Sequence, residues 1–186
     1  MWHDESMKGF KLFLKKFFRY ILKPLSFIPA IVMMYFIFHF SAQTGNESSS
    51  LSYEVSKTAV LAYNRLCMKG YDNYTLNELI AVLHPYIRKA AHVTEYMLLA
   101  GSVSLPLYVY RIRGLGLTAV ASIFCMCFAV LDEYHQSFVA GRSSSPRDVA
   151  IDCIGIFIGV TVVRILGFIG RKTVFSGLSL EQKHKT

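Results

Sequence analysis

The sequence predicts an all-α membrane protein, a polytopic bundle of four transmembrane helices with a long extracellular loop between the first two. Hydrophobic residues make up 53% of the 186-residue chain, and its mean hydropathy is +0.38, which is high for a water-soluble protein. Four apolar stretches come near the roughly 20 residues that a helix needs to cross a bilayer. Helices are the expected form because the backbone in lipid must satisfy its own hydrogen bonds.

The four predicted spans follow one another along the chain. They cover roughly residues 20–40, 90–110, 115–132 and 149–168. His92 and Glu95 interrupt the second span, Asp132 ends the third, and Asp152 lies inside the fourth. Charged side chains are costly in a bilayer, so these positions mark a functional site or a network of paired charges. Gly155 and Gly159 form a small-xxx-small pattern, which predicts close helix packing.

The positive charges predict the orientation. Lys and Arg collect before the first span, between the second and third spans, and after the fourth, which is one side of a four-span bundle. Both termini are therefore predicted to be cytoplasmic, in a protein of the cell membrane. The chain divides into a basic amphipathic segment (1–23), a transmembrane domain (24–168, with its loop at about 41–88) and a tail (169–186). A nucleic-acid partner is not predicted, because the basic segment runs directly into a span.

The loop between the first two spans has helical patterns of its own. Leu51, Val55 and Leu66 belong to an apolar stripe that predicts an amphipathic helix over residues 48–68. The tetrad Thr75–Glu78 has the pattern of a capping box, and Pro85 fits the first turn of the second spanning helix. Two short helices on the outer leaflet would follow, either covering the mouth of the bundle or serving only as packed surface helices.

Polar residues gather at the outer end of each predicted span. Helical spacing places them on shared faces, three to four residues apart, in the sets Arg88, His92, Glu95; Asp132, His135, Gln136; and Asp148, Asp152. Ser41 and Gln43, at the end of the first span, lie at the same depth. The predicted topology therefore brings all four helices together around one polar pocket.

The same residues form an ordered series of motifs. The series consists of Ser41-Ala42-Gln43, Arg88-Lys89-x-x-His92-x-x-Glu95-Tyr96, Asp132-Glu133-x-His135-Gln136, Gly141-Arg142 and Asp148-x-x-x-Asp152. In this order they resemble the VanZ family of bacterial membrane proteins over about residues 30–165. The resemblance implies a bacterial envelope protein, with family members linked to resistance to glycopeptide antibiotics such as teicoplanin. It implies no established reaction.

Three interpretations of the polar residues remain open. In the first, Arg88, Arg142 and Arg147 pair with carboxylates and only lock the helix bundle, so that the protein has a structural or interaction role. In the second, the pocket binds an anionic lipid or a lipid-linked cell-wall precursor, since Arg is well suited to phosphate. The predicted ligand-binding residues are Arg88, Lys89, Gln136, Arg142, Asp148, Asp152, Ser41 and Gln43.

In the third interpretation the pocket is an active site. A histidine would act as base or nucleophile, tuned by neighbouring carboxylates, in the hydrolysis or transfer of a phosphoryl or glycosyl lipid. The predicted catalytic residues are His92, Glu95, Asp132, Glu133 and His135. A metal ranks below a metal-free site because the nearby Arg side chains disfavour a cation, and no cofactor is predicted.

Overall fold

The fold is all-helical, as the sequence predicts. The computed structural model describes residues 23–173 together with Phe17 and Tyr20. This part of the chain contains five helices and no strand: α1 (Ile28–Ser41), α2 (Gly45–Leu66), α3 (Asn73–Val109), α4 (Gly114–Gln136) and α5 (Pro146–Thr173). The predicted basic segment 1–23 lies almost entirely outside the described residues, and so does the end of the predicted tail, from 174 onward.

Among the described residues, three helical segments are long and apolar enough to cross a membrane. They are Lys23–Ser41, Gly114–Gln136 and Pro146–Ile169, with mean hydropathies of 1.6, 2.2 and 2.3. Most of each segment is not buried inside the protein, as expected for helices whose outer faces contact lipid. The remaining predicted span, 90–110, forms the second half of α3. It falls outside this set within the described residues, because polar residues such as His92, Glu95 and two serines lower its hydropathy.

Helix α3 differs from the prediction at its start. It is one continuous helix of 37 residues, about 55 Å long. Asp72 is its N-cap and accepts a hydrogen bond from the Thr75 amide at 3.2 Å. The capping box predicted at Thr75–Glu78 is therefore wrong, because a strong cap three residues earlier already begins the helix. Pro85 lies inside α3 rather than in the first turn of a separate spanning helix.

Helix α2 carries the capping box instead. Thr44 Oγ1 accepts from the Glu47 amide at 3.3 Å, and Glu47 Oε2 accepts from the Thr44 amide at 2.9 Å. The helix packs on the first half of α3 through small buried residues such as Ser52 and Ser56, and Ser52 Oγ lies 2.8 Å from Nε2 of His84. The apolar stripe seen in the sequence is a different face of α2 and stays exposed.

The core of the bundle lies between α3 and its neighbours. On α3, Tyr96, Leu99 and Ala100 are completely buried. Gly155 and Gly159 of α5 pack against the α3 backbone. An added Cβ at either position would collide with a backbone carbonyl oxygen, that of Val93 or that of Met97. The small-xxx-small pattern therefore brings α5 into direct backbone contact with α3, beside the polar residues of both helices.

Candidate functional site

A cavity of about 460 Å³ opens among the polar ends of the helices. Helices α1, α2, α3 and α4 and the α4–α5 loop contribute to its lining. Eight of the predicted site residues line it: Ser41, Gln43, Arg88, His92, Glu95, Asp132, Gln136 and Arg142. The lining also has an apolar part, the apolar wall, which includes Ile37, Phe40, Leu51, Val55 and Ile87. The cavity therefore combines charged and apolar side chains in one lining.

Arg142 is held in place by the end of α1. Its Nε donates to the Gln43 carbonyl at 2.9 Å and its Nη2 donates to the Phe40 carbonyl at 2.7 Å. These carbonyls belong to the last turn of α1 or follow it, where backbone acceptors lack helical partners. The loop carrying Arg142 is in turn fixed by the Gly45 amide, which donates to the Ala140 carbonyl at 3.0 Å.

Arg88 and Arg142 form a positively charged corner of the cavity. Burial, followed by the neighbouring guanidinium of Arg88, lowers the pKa of Arg142, and nearby carboxylates only partly offset this. Arg88 is half-buried and makes no hydrogen bond or ion pair within the described residues. Two guanidinium groups that lie close enough to repel each other, with no carboxylate hydrogen-bonded between them, are suited to binding an anion.

His92 and Asp152 form a pair behind the cavity surface. His92 Nδ1 lies 3.4 Å from Asp152 Oδ1, close enough for an ion pair but without the geometry of a hydrogen bond. Asp152 is completely buried on α5 and does not line the cavity, whereas His92 does. The carboxylate therefore lies on the far side of the imidazole. This arrangement leaves Nε2 as the imidazole nitrogen that a ligand in the cavity could contact.

The two carboxylate oxygens of Asp132 differ in their hydrogen bonds. Its Oδ2 accepts from the Tyr96 hydroxyl at 3.3 Å and from Gln136 Nε2 at 3.1 Å. Its Oδ1 is buried with no hydrogen-bond partner, and so is Ser41 Oγ. Buried polar atoms are normally satisfied, so these two atoms mark where a bound group or water would be most favoured.

The comparison with known proteins identifies a family. Residues 26–167 match the family described as VanZ/LLP1. This chain belongs to the VanZ/LLP1 family. The match contains every residue that lines the cavity and confirms the resemblance seen in the motifs. No curated protein and no solved structure matches the chain.

Five predicted site residues of this VanZ/LLP1 protein do not line the cavity. Asp152 is the buried partner of His92. Glu133 Oε2 accepts from the Ser145 amide at 3.1 Å, so this side chain fastens the α4–α5 loop. His135 packs against the Phe38 ring, with centroids 4.5 Å apart. Asp148 is half-buried at the start of α5, and Lys89 is exposed on α3.

The Arg–carboxylate ion pairs of the first interpretation are absent from the described part of the chain. Within the described residues the ion pairs are Lys57–Glu54, which is exposed, and His92–Asp152. Arg142 uses backbone carbonyls instead, because the last turn of α1 offers acceptors that need donors. In the same part of the chain, no group of three His, Cys, Asp or Glu side chains is arranged to hold a metal ion.

Ser48, Ser52 and Thr94 line the cavity and were not predicted as site residues. Tyr96, although present in the motif series, was not predicted as a site residue either. It is completely buried and donates to Asp132, which links α3 to α4 beneath the cavity of this VanZ/LLP1 protein. Its spacing of four residues from His92 places both on one face of α3. That spacing could have identified it.

Proposed function

We propose that this VanZ/LLP1 protein binds the anionic head of a lipid-linked cell-envelope ligand in the cavity, and so contributes to glycopeptide resistance of the teicoplanin type. The observation that carries the proposal is the corner formed by Arg88 and Arg142, two cations without an acidic partner in hydrogen-bonding contact. Family membership supplies the link to glycopeptides, which act on lipid-linked wall precursors.

The charges favour a particular kind of head group. A phosphate would receive hydrogen bonds from the two guanidinium groups, which match its geometry. Carboxylates accept hydrogen bonds and donate none when ionised, so Asp132 Oδ1 and Glu95 favour hydroxyl or N–H groups on the same ligand. A head group that combines a phosphate with a sugar or an amide would pair with both the arginines and the carboxylates. The apolar wall at Phe40, Leu51 and Val55 suits the attached hydrocarbon chain.

The proposal includes a topology of four spans with both termini in the cytoplasm. The second half of α3 would be the remaining span, at the centre of the bundle. Its low hydropathy is explained in part by position, because His92 and Glu95 line the cavity and Ser104 is completely buried. The cavity would then lie at the depth of the outer leaflet, where lipid-linked wall precursors are exposed.

A second candidate function is enzymatic and rests on the His92–Asp152 pair. A carboxylate beside one imidazole nitrogen orients the ring and supports a positive charge on it, which is what a general base needs. His92 would accept or donate the proton in hydrolysis or transfer of a phosphoryl or glycosyl lipid, with Arg88 and Arg142 stabilising the developing charge. The geometry favours His92 over His135 for this role, because His135 does not line the cavity.

The test compares Arg88, which lines the cavity, with the neighbouring Lys89, which does not. Arg88→Gln removes the unpaired guanidinium, and Lys89→Gln removes the adjacent cation, which is exposed and outside the cavity. Each variant is reconstituted in nanodiscs and titrated with undecaprenyl phosphate. It is also expressed in a strain lacking the native gene, where the teicoplanin inhibitory concentration is measured. Loss of a charge-assisted hydrogen bond costs about 1.5–3 kcal/mol, or roughly 10- to 100-fold in Kd.

We expect Arg88→Gln to weaken lipid binding and lower resistance with an unchanged melting temperature, while Lys89→Gln matches the wild type. Equal lipid affinity and equal resistance in the two variants would refute the binding proposal. For the enzymatic candidate, His92→Gln is expected to abolish turnover of an undecaprenyl diphosphate probe while leaving its binding in place. Turnover that survives this substitution would exclude His92 as the base.

A further inference from the structure

A second cavity lies at the opposite end of the bundle. Its volume is about 390 Å³, and it is formed by the end of α3, the start of α4 and the end of α5. The first cavity lies near the end of α4, some 20 residues or about 30 Å along that helix. The two cavities therefore face different ends of the protein, and the second is independent of the function proposed for the first.

Two arginines line this second cavity from different helices. Arg164 is the only charged residue between Asp152 and Arg171 in the sequence. Its Nη1 donates to Thr118 Oγ1 at 3.4 Å. The guanidinium carbon of Arg113 lies 5.0 Å from the centre of the Tyr108 ring. Both contacts are with neutral groups, so neither guanidinium is neutralised by another described residue.

Acidic residues are distant from this cavity. In the described part of the chain every Asp and Glu lies between residues 47 and 152. Asp152 is 12 residues before Arg164, about 18 Å along α5, and Glu133 is 20 residues after Arg113, about 30 Å along α4. These separations are well beyond the distance of about 4 Å at which a carboxylate forms an ion pair with a guanidinium.

We infer that the second cavity binds the phosphate of an anionic glycerophospholipid from the leaflet at that end of the bundle. Basic pockets between transmembrane helices are suited to such head groups. The Arg fork can hold a phosphate with two parallel hydrogen bonds, and the hydroxyl of Thr161 adds a donor within the lining. Apolar neighbours such as Leu117 and Val163 provide surface for the start of an acyl chain.

The alternative is that these arginines only set the orientation in the membrane and stay hydrated. The two ideas differ in what they require. Orientation depends on the number of positive charges on one side, whereas phosphate binding depends on the guanidinium shape and on open space beside it. Variants that keep the charge but change the shape or the space therefore separate them.

The experiment measures lipid retention by native mass spectrometry of the full chain released from micelles. Phosphatidylglycerol and phosphatidylcholine are offered in equal amounts. Two variants alter the site: Arg113→Gln combined with Arg164→Gln, and Gly167→Leu, which fills the cavity and leaves both charges. A Cβ at Gly167 has no atom nearer than 4.0 Å, so the larger side chain enters free space. The control is Arg147→Gln, an exposed arginine at the other end of α5.

We expect the wild type and Arg147→Gln to retain phosphatidylglycerol in preference to phosphatidylcholine, and both site variants to lose that preference by roughly tenfold or more. Equal retention of the two lipids by the wild type would overturn the inference. So would an unchanged preference in the folded Gly167→Leu variant, whether or not the double variant folds. Displacement of phosphatidylglycerol by millimolar inorganic phosphate would show a site for a soluble anion and would overturn the lipid assignment.

Discussion

Substitution of Gly155 by Ala is expected to separate α3 from α5 and to disturb the candidate site at the same time. An alanine Cβ here would collide with the Val93 carbonyl oxygen and lie 3.0 Å from its carbon and 3.1 Å from the Met97 nitrogen. Comfortable contacts between carbon atoms lie near 3.5–4.0 Å, so the helices must move apart by about 0.5–1 Å. Overpacking of this kind typically costs about 1–3 kcal/mol.

The same movement would reach His92 and Asp152. These residues lie within one helical turn of the contact, His92 next to Val93 and Asp152 three residues before Gly155. Their separation of 3.4 Å would widen, which weakens an electrostatic contact already at the long end of its range. We therefore expect ligand binding or turnover to fall along with stability.

The assay is thermal unfolding in detergent, paired with titration of undecaprenyl phosphate. The matched control is Gly167→Ala on the same helix, where the nearest atom to an added Cβ is Tyr108 Cε2 at 4.0 Å. Alanine is favoured over glycine in a helix by about 1 kcal/mol, so this control is expected to be neutral or more stable. Gly155→Ala as stable as Gly167→Ala would refute the close backbone contact between α3 and α5.

Three further predictions concern single interactions. Glu133→Ala is expected to destabilise the protein by about 1–3 kcal/mol, because it leaves the Ser145 amide unpaired. Glu133→Gln keeps an acceptor oxygen and is the control. Thermal melts of both variants and the rate of proteolysis in the α4–α5 loop measure the difference in stability. Asp152→Asn is expected to leave the melting temperature unchanged or higher, since it removes a buried carboxylate that accepts no hydrogen bond within the described residues, while lowering turnover or resistance through His92. Thr44→Ala is expected to cost about 0.5–2 kcal/mol by removing the cap of α2, and Thr44→Ser should restore it, as measured by chemical denaturation.

Each of these has a contrary result. Equal stability of the Ala and Gln variants at Glu133 would show that the loop does not depend on this carboxylate. A collapsed melt for Asp152→Asn would mean that the charge is needed to hold the bundle. An unchanged stability for Thr44→Ala would mean that packing on α3 alone maintains α2.

Local pattern predicted the helices well and their boundaries less well. Apolar runs of spanning length identify α1, α4 and α5, because hydropathy over about 20 residues is a property of the sequence itself. The start of α3 was wrong because two N-terminal patterns compete there, and the residue that caps, Asp72, precedes the one that was chosen. Pro85 suggested a boundary, but a helix packed on both sides of a proline can continue through it.

The prediction of the site succeeded where residues share one helix. Arg88, His92 and Glu95 line the cavity together because spacings of four and three residues place side chains on one face. The interpretation in which Arg88, Arg142 and Arg147 pair with carboxylates, one of the three left open, finds no such ion pair in the described part of the chain. It ignored the carbonyls at the end of α1, which are acceptors that no side-chain pattern reveals.

The sequence by itself determined that the chain is helical, that it belongs in a membrane, which polar residues share a helix face, and the family to which it belongs. Only the tertiary structure decided that Asp152 lies behind His92, that Glu133 holds a loop, and that Arg113 and Arg164 line the same second cavity. The reason is physical. Periodicity sets the direction in which a side chain leaves its own helix, whereas its partner depends on the register between helices. Here that register follows from the backbone contact of Gly155 and Gly159 with α3. The α3 residues in this contact are distant in the sequence, so no local pattern around the glycines reveals them.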